Sequence, residues 1–210
     1  MPIAFHPDMR ILFIGDSITD CGRQSDVEGL GDGYVRRIRE ITLARDPATA
    51  PIVINRGTSG HRIPDLAERW ERDVIALEPD VVSIKIGIND VWRQIDGIGG
   101  GVLIDDFKST YDALLTRTLS ALPSCKLVLC EPTVFWPPAE RAELGQALIK
   151  PYVAAVNELA DAFAVHAVVP LHSAFERAHA ARPEVDWATD GVHPSSAGHM
   201  LIAERWLDAV

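Results

Sequence analysis

Five short runs of aliphatic, mostly β-branched residues recur along this chain, and each is followed by a stretch with the periodicity of an amphipathic helix. Such apolar runs are typical of strands buried in a parallel sheet with helices on both faces. The alternation predicts a three-layer α/β/α fold, and right-handed crossovers favour a doubly wound, flavodoxin-like sheet of order 2-1-3-4-5. The five predicted parallel strands are residues 10–14, 51–55, 81–86, 126–130 and 167–169.

Apolar residues spaced three or four apart predict the helices that connect these strands. Trp70 and Trp206 lie on such apolar faces and are predicted to belong to the core. Pro151 lies inside the fourth helical stretch, where its missing N–H and its ring predict a break or a kink. The predicted helices cover about 34–44, Pro64 to Leu77, about 105–122, about 139–165, a stretch after Ser173, and about 195–210.

The composition is typical of one globular domain spanning residues 1–210 and excludes several classes of protein. Hydrophobic residues are 47% of the chain and charged residues 24%, which excludes a disordered protein. The 20 basic and 30 acidic residues give a net charge of −10 without a basic stripe, so we expect no nucleic-acid partner. No apolar run is long enough for a membrane span, and residues 1–8 lack the features of a secretory signal. We therefore expect a cytoplasmic protein with no membrane partner, unless a signal has been removed.

Cysteine and histidine spacing gives no indication of a metal site. Cys21, Cys125 and Cys130 are odd in number and lack C-x-x-C spacing, which indicates reduced thiols in a reducing compartment. Five histidines lack metal-ligand spacing and are predicted to be surface or helix residues: His6, His166, His172, His179 and His199.

Polar residues collect at the carboxyl ends of the predicted strands, the edge where parallel α/β sheets bind their ligands. Ser17 follows the first strand, Gly60 the second and Asn89 the third, while Asp190 and His193 precede the last helix. A hydroxyl, backbone N–H groups, an amide, a carboxylate and an imidazole at one edge are the groups that acyl transfer requires.

Ser17, His193 and Asp190 are the candidate catalytic residues. A serine hydroxyl becomes a competent nucleophile when a neutral histidine accepts its proton, and a carboxylate orients that histidine and stabilises the imidazolium. The tetrahedral oxyanion also needs donors, for which the N–H groups of Ser17 and Gly60 and the side-chain amide of Asn89 are candidates. Activity should decrease at low pH, where His193 is protonated.

Four sequence blocks, in their order along the chain, resemble those of the SGNH, or GDSL, hydrolase superfamily. They are Gly15-Asp16-Ser17, Thr58-Ser59-Gly60, Gly87-Ile88-Asn89-Asp90 and the segment from Asp190 to His193. The first block does not match the Gly-x-Ser-x-Gly elbow of ordinary α/β-hydrolases. More narrowly, three stretches are similar to intracellular acetylxylan esterases, which remove acetyl groups from xylo-oligosaccharides: LFIGDSITDCGR, RWERDVIALEPDVVSIKIGINDVWRQ and HPSSAGHMLIA.

The resemblance implies a role for each matching residue. Ser17 would be the nucleophile, His193 the general base and acid, and Asp190 its orienting partner, while Ser17, Gly60 and Asn89 would form the oxyanion hole. It also implies an enzyme that uses no metal or organic cofactor, acts on a small acetylated sugar, and forms a homo-oligomer.

Four further residues, within or beside these blocks, are candidate substrate contacts: Asp16, His61, Trp92 and Val192. Asp16 is also expected to brace the nucleophile turn through capping hydrogen bonds. His61 and Arg62 either face the substrate or form an exposed polar pair. Trp92, Trp136 and Trp187 could be platforms for sugar rings, although aromatic residues more often fill a core or an interface.

Two segments depart from the family pattern near the expected cleft. One is the glycine-rich segment 95–102, whose glycine run at 97–101 lacks the frame of a phosphate-binding loop, so we expect a mobile loop there. The other is Phe135-Trp136-Pro137-Pro138. Both leave the acceptor specificity open.

Three other functions use the same residues. An esterase of different acyl specificity, such as a thioesterase or lysophospholipase, would need a longer apolar channel. A metal-dependent phosphohydrolase would use Asp16, Asp20 and Asp90 around Mg²⁺, although Arg23 is the one basic residue beside this motif and Asp90 is expected to be structural. A sugar-binding module with an inactive triad is the third alternative.

Overall fold

The computed structural model describes residues 2–133 and 141–210, and its centre is a parallel sheet. The strand order is β2-β1-β3-β4-β5, so both the predicted fold class and the predicted order 2-1-3-4-5 are confirmed. Each strand begins and ends within two residues of its predicted bounds: β1 (Arg10–Gly15), β2 (Ile52–Gly57), β3 (Val81–Lys85), β4 (Lys126–Cys130) and β5 (Ala167–Val169).

Helices flank the sheet in two groups, in which α2, α7 and α8 pack together and α3, α4, α5 and α6 pack together. Trp206 and Trp70 come from different groups, and both are fully buried as predicted. Their indole N–H groups donate to Ser83 and Thr118, respectively, each at 3.0 Å. The helices are α1 (Ser17–Asp20), α2 (Tyr34–Arg45), α3 (Ile63–Asp73), α4 (Ile88–Ile95), α5 (Ile104–Ala121), α6 (Ala142–Ala162), α7 (Leu171–Ala181) and α8 (Ser196–Ala209).

Three helix predictions need correction, and one helix was not predicted. Helix α6 continues through Pro151, so the predicted break does not occur; buried Ile149 and Tyr152 on either side hold both parts against the core. The second helix ends at Asp73 rather than continuing to Leu77, because the chain turns there into a separate 3₁₀ turn. Helix α4 lies where no helix was predicted, between β3 and the glycine-rich segment.

The fifth predicted helix begins earlier than expected, at Leu171 and not after Ser173. Its second N–H, on His172, donates to the buried carboxylate of Glu131 at 3.1 Å, and Glu131 follows β4. A residue 41 positions away thus supplies the cap that the local sequence lacks.

His199 lies on α8, as predicted for a helix residue, but it is buried between α8 and α2. Its Nδ1 accepts the Tyr34 N–H at 3.2 Å, and burial lowers its pKa to about 4. A neutral imidazole is therefore part of the packing here. No helix within residues 2–133 and 141–210 is long and apolar enough to cross a membrane.

Candidate active site

Three polar loops start side by side because three neighbouring strands end together. Gly15, the last residue of β1, pairs with Gly57 on β2 and with Lys85 on β3. The Thr58 N–H then donates to the Gly15 carbonyl at 3.0 Å. The serine, glycine and asparagine blocks predicted from the sequence therefore leave the sheet at one edge.

The nucleophile candidate is the first residue of a one-turn helix. Asp16 is the N-cap of α1, and its Oδ1 accepts the Ile18 N–H at 3.0 Å. Ser17 is half-buried, and its own N–H is at the start of the helix, where N–H groups have no partner within the helix. Gly57 allows this turn to pack on β2, because a Cβ there would lie 2.1 Å from the Asp20 nitrogen.

Ser17, His193 and Asp190 form a continuous hydrogen-bonded chain. The Ser17 Oγ lies 3.0 Å from His193 Nε2, and His193 Nδ1 lies 2.7 Å from Asp190 Oδ2. With the proton on Nδ1, His193 donates to Asp190 and presents Nε2 as the acceptor for the serine proton. This is the geometry in which a serine hydroxyl can be deprotonated as it attacks.

The Asp190 and His193 pair is built by one tight turn. Asp190 Oδ1 accepts the N–H groups of Val192 at 2.9 Å and His193 at 2.7 Å. An antiparallel bridge between Ala188 and Pro194 closes the turn, directly before α8. Partial burial opposes ionisation of Asp190, but the hydrogen bonds from His193 outweigh it and hold the pKa of the carboxyl below its ordinary value.

One oxyanion-donor candidate, Asn89, is hydrogen-bonded to the residue that follows another, Gly60. Gly60 has a φ of +80°, a left-handed conformation that glycine adopts without strain. The Asn89 Nδ2 donates to the carbonyl of His61, the next residue, at 3.0 Å. Because an amide nitrogen carries two hydrogens, Asn89 can hold the glycine loop and still offer an N–H to a substrate.

The carboxylates of Asp20 and Asp90 accept hydrogen bonds from other groups of the protein. Asp20 Oδ2 accepts from the N–H and hydroxyl of Ser59, at 3.2 and 2.8 Å, which joins α1 to the glycine block. Asp90 is fully buried, and its Oδ1 accepts the Ile63 N–H at 3.0 Å. Burial raises the pKa of Asp90 to about 7. Within the described ranges, His, Cys, Asp and Glu side chains form no group of three or more that could hold a metal.

More basic groups lie near the serine than the sequence indicated, since Lys85 and Arg69 join Arg23 there. Arg23 Nε donates to the Gly57 carbonyl at 2.5 Å and Arg69 Nη2 to the Gly15 carbonyl at 3.1 Å. Burial raises the pKa of Asp16 and lowers that of Lys85, and the attraction between the two opposes both shifts. Lys85 and Arg69 were not predicted as site residues because neither belongs to a recognisable motif. The available signal was that each is a charged residue within an otherwise apolar pattern.

The candidate substrate contacts occupy different environments. Asp16 is fully buried and fits its bracing role, with no exposed surface for a substrate. Trp92 and Val192 are partly buried against the edge of the core. The side chains of His61 and Arg62 are hydrogen-bonded to other side chains of the protein. His61 Nδ1 accepts from Arg69 at 3.2 Å, and Arg62 donates to Asp65 at 2.9 Å.

Of the two segments that depart from the family pattern, the glycine-rich segment lies within the described residues. Arg62 Nη1 donates to the Gly100 carbonyl, so the glycine-rich segment adjoins the loop that carries Gly60. The Trp187 indole, a possible sugar platform, donates to the Arg182 carbonyl at 3.0 Å. The Phe135-Trp136-Pro137-Pro138 segment, including the candidate platform Trp136, lies outside the described residues.

Residues 13–201, from β1 to α8, match the GDSL-like Lipase/Acylhydrolase family. This chain is a member of that family. An acetylxylan esterase of Geobacillus stearothermophilus is 37% identical over 206 residues, which are 94% of this chain and 92% of the relative. The superfamily resemblance predicted from the four blocks is thereby confirmed.

Solved structures share the whole architecture. The crystal structure of an acetylxylan esterase from Geobacillus stearothermophilus has a TM-score of 0.86 at 34% identity and covers 98% of this chain and 95% of its own. A putative GDSL-like lipase from Parabacteroides merdae has a TM-score of 0.91 at 34% identity, covering 99% and 98%. An α/β hydrolase from the metagenome of Lake Arreo has a TM-score of 0.87 at 33% identity, covering 98% and 96%.

Proposed function

We propose that this protein is a serine esterase that removes acetyl groups from acetylated carbohydrates such as xylo-oligosaccharides. The observation that carries the proposal is the chain of contacts from the Ser17 hydroxyl through His193 to Asp190, at 3.0 and 2.7 Å. The acyl group and the sugar are inferred from the acetylxylan esterase that is 37% identical over 94% of this chain.

In the acylation step, the Ser17 Oγ attacks the carbonyl carbon of the acetyl ester while His193 Nε2 accepts the hydroxyl proton. The carbonyl oxygen becomes an oxyanion, for which the N–H groups of Ser17 and Gly60 and the amide of Asn89 are the proposed donors. The bond to the sugar oxygen then breaks, the sugar leaves with the proton from His193, and acetyl-Ser17 remains.

In the deacylation step, a water molecule attacks acetyl-Ser17 while His193 accepts one of its protons. Collapse of the second tetrahedral intermediate releases acetate and returns the proton to Ser17. Asp190 stabilises the imidazolium in both steps because it is ionised and already hydrogen-bonded to Nδ1. The two steps use side chains, backbone groups and one water molecule, so the proposed reaction needs no metal or organic cofactor.

The deciding experiment follows acetate release from peracetylated xylobiose by wild type and Ser17→Ala. We expect release by wild type and a decrease of at least about 10⁴-fold in the variant, as for other serine nucleophiles. Ser25→Ala is the matched control, because Ser25 is exposed and donates only to the Gly22 carbonyl at 3.1 Å. Equal activity of Ser17→Ala and wild type would contradict the nucleophile assignment.

Different acyl specificity is the second candidate, because a structure named as a GDSL-like lipase matches this chain at a TM-score of 0.91. A series of p-nitrophenyl esters from acetate to octanoate separates the two. A steep decrease beyond butyrate supports the acetylesterase, whereas a maximum at octanoate supports a lipase-like enzyme. Activity lost on treatment with EDTA would instead support the metal-dependent phosphohydrolase.

Two expectations are carried forward as part of this proposal. The family resemblance predicts a homo-oligomer, which light scattering of the purified protein would test. The three free cysteines support a location in a reducing compartment such as the cytoplasm, which fractionation of the source cells would test.

A further inference from the structure

Arg69 is a buried cation on α3 that reaches the ends of two strands. Its side chain is 6% exposed. The Nη2 donates to the Gly15 carbonyl at 3.1 Å, and the Nη1 donates to the Arg56 carbonyl at 2.7 Å. Those carbonyls belong to β1 and β2, so one guanidinium joins the two strands where they leave the sheet.

Arg69 makes two further hydrogen bonds. Nη1 donates to Asp73 Oδ2 at 2.9 Å, and Nε donates to His61 Nδ1 at 3.2 Å. Burial opposes ionisation of Asp73, but its bonds to Arg72 and Arg69 prevail and lower its pKa to about 2. The guanidinium is therefore paired with a carboxylate and has a partner at each of its three nitrogens.

The partners of Arg69 belong to the blocks that surround the proposed oxyanion. Gly15 directly precedes the Asp16–Ser17 turn, and His61 directly follows Gly60. The His61 carbonyl also accepts from Asn89 at 3.0 Å. The Arg69 guanidinium is thus bonded directly to Gly15 of the serine block. Through His61 it is connected to both the glycine block and the asparagine block.

A guanidinium suits this position because its donors point in fixed directions within one plane. Stability alone does not explain it, since apolar residues can often replace a buried ion pair at no cost to stability. The fixed separation of Gly15 from His61 is the property that an apolar side chain could not reproduce.

We propose that Arg69 is a positioning residue that holds the Gly60 and Asn89 donors in register with Ser17. The inference rests on the proposed serine esterase function, because it concerns the oxyanion of that reaction. Arg69 does not contact the substrate; it acts through His61 and through the Gly15 carbonyl. Its loss should lower kcat, since the donors are needed in the transition state, and should leave KM nearly unchanged.

The first test measures kcat and KM for p-nitrophenyl acetate in Arg69→Lys and Arg72→Lys. Lysine retains the charge beside Asp73 but cannot bond to all four partners. We expect kcat to decrease about 10- to 100-fold in Arg69→Lys, with KM within about twofold of wild type. Arg72 is the matched control, because it bonds to the same Asp73 carboxylate but its side chain is 75% exposed. Equal effects of the two substitutions would overturn the proposal.

The second test uses His61→Leu, which removes the acceptor of Arg69 Nε and leaves the strand-end bonds in place. It keeps the proposal testable if Arg69→Lys does not fold. We expect the same selective decrease in kcat and a melting temperature close to that of wild type. A change confined to KM would mean that His61 contacts the substrate instead, and would overturn the positioning role.

A double-mutant cycle separates positioning from a general effect on folding. In an Asn89→Ala background, His61→Leu should reduce kcat by less than in wild type, because both changes act on one oxyanion hole. Fully additive effects would overturn the proposal. Failure of the proposed function is distinguishable from failure of this inference. In that case the activity of Ser17→Ala would equal that of wild type, whatever the effects of the Arg69 and His61 substitutions.

Discussion

At the scale of single residues, the proposed site depends on side chains that bond to neighbouring backbone as well as to the substrate. Asn89 is the clearest case, because its amide holds the His61 carbonyl at 3.0 Å. Asn89→Ala should therefore lower kcat about 10²- to 10³-fold, as removal of one oxyanion donor does elsewhere, and leave KM little changed. Steady-state kinetics on p-nitrophenyl acetate checks this prediction. An unchanged kcat would remove Asn89 from the oxyanion hole.

Asp190 is predicted to raise kcat by orienting His193. Asp190→Asn preserves the shape of the side chain but can donate to Nδ1, which would leave the proton on Nε2, where it blocks the serine. We expect kcat to decrease about 10⁴-fold. Asp186→Asn is the control, since Asp186 lies on the same segment and Oδ2 accepts only from the Thr189 hydroxyl, at 3.0 Å. A similar loss in both variants would indicate damage to the segment and not to catalysis.

Asp90 predicts a pH dependence of stability. Its pKa rises from an ordinary 3.8 to about 7 on folding, chiefly because it is buried. The folded state thus binds the proton more tightly than the unfolded state. The contribution of Asp90 to the free energy of unfolding is therefore complete below about pH 4 and is lost as pH rises through 7. Asp90→Asn keeps an acceptor for the Ile63 N–H and should remove that loss, on the order of 2 kcal/mol at pH 8 relative to pH 5. Urea unfolding at both pH values checks this; equal pH dependence in the two proteins would contradict it.

At the scale of elements, the close contact of α1 with β2 fixes where the nucleophile lies. A Cβ on Gly57 would lie 2.1 Å from the Asp20 nitrogen, so Gly57→Ala must displace α1 or the strand. We expect a destabilisation of about 1–3 kcal/mol, as for other overpacked sites, together with a loss of esterase activity. Gly29→Ala is the control for activity: a Cβ there meets nothing within 4 Å, and although the φ of +68° strains an alanine and lowers stability, esterase activity should be kept. Thermal unfolding and activity are measured on both, and retained activity in Gly57→Ala would contradict the prediction.

The sheet could be predicted from the sequence because its strands are continuous apolar runs between helical patterns. The start of α7 could not, because its cap is Glu131, which lies after β4. Helix α4 is only eight residues long and begins within the asparagine block, so its buried apolar residues, Ile88, Val91 and Ile95, were too few to distinguish it from a loop. Local patterns therefore predicted the elements, and contacts distant in sequence decided their ends.

The same distinction holds within the site. Ser17, Asp190 and His193 belong to short motifs, so their proximity could be predicted from the order of the blocks. Arg69 and Lys85 have no motif, and their positions depend on helix and strand packing. Arg69 was nevertheless detectable in principle, because its spacing from Leu66 and Trp70 places it on the buried face of α3.

At the scale of the whole molecule, the three free cysteines should report on unfolding. Burial raises the pKa of Cys125 to about 12 and that of Cys130 to about 11, so neither is a thiolate at neutral pH. Burial also raises the pKa of Cys21. We expect a thiol reagent such as Ellman's reagent to react slowly with native protein at pH 8 and to titrate three thiols in denaturant. Rapid reaction of Cys125 or Cys130 in the native protein would contradict this.

The turn from Ala188 to Pro194 has a consequence for how such enzymes diverge. Asp190 and His193 are oriented by bonds within that turn, whereas Asn89 on α4 and the loop that carries Gly60 are joined by a bond between distant parts of the chain. Among the described residues, the glycine-rich segment is bonded to the second group, through Arg62. An insertion in that segment should therefore change contacts around the proposed oxyanion hole and leave the Asp190–His193 pair in place. Descendants of one ancestor can in this way acquire new substrates without rebuilding their chemistry.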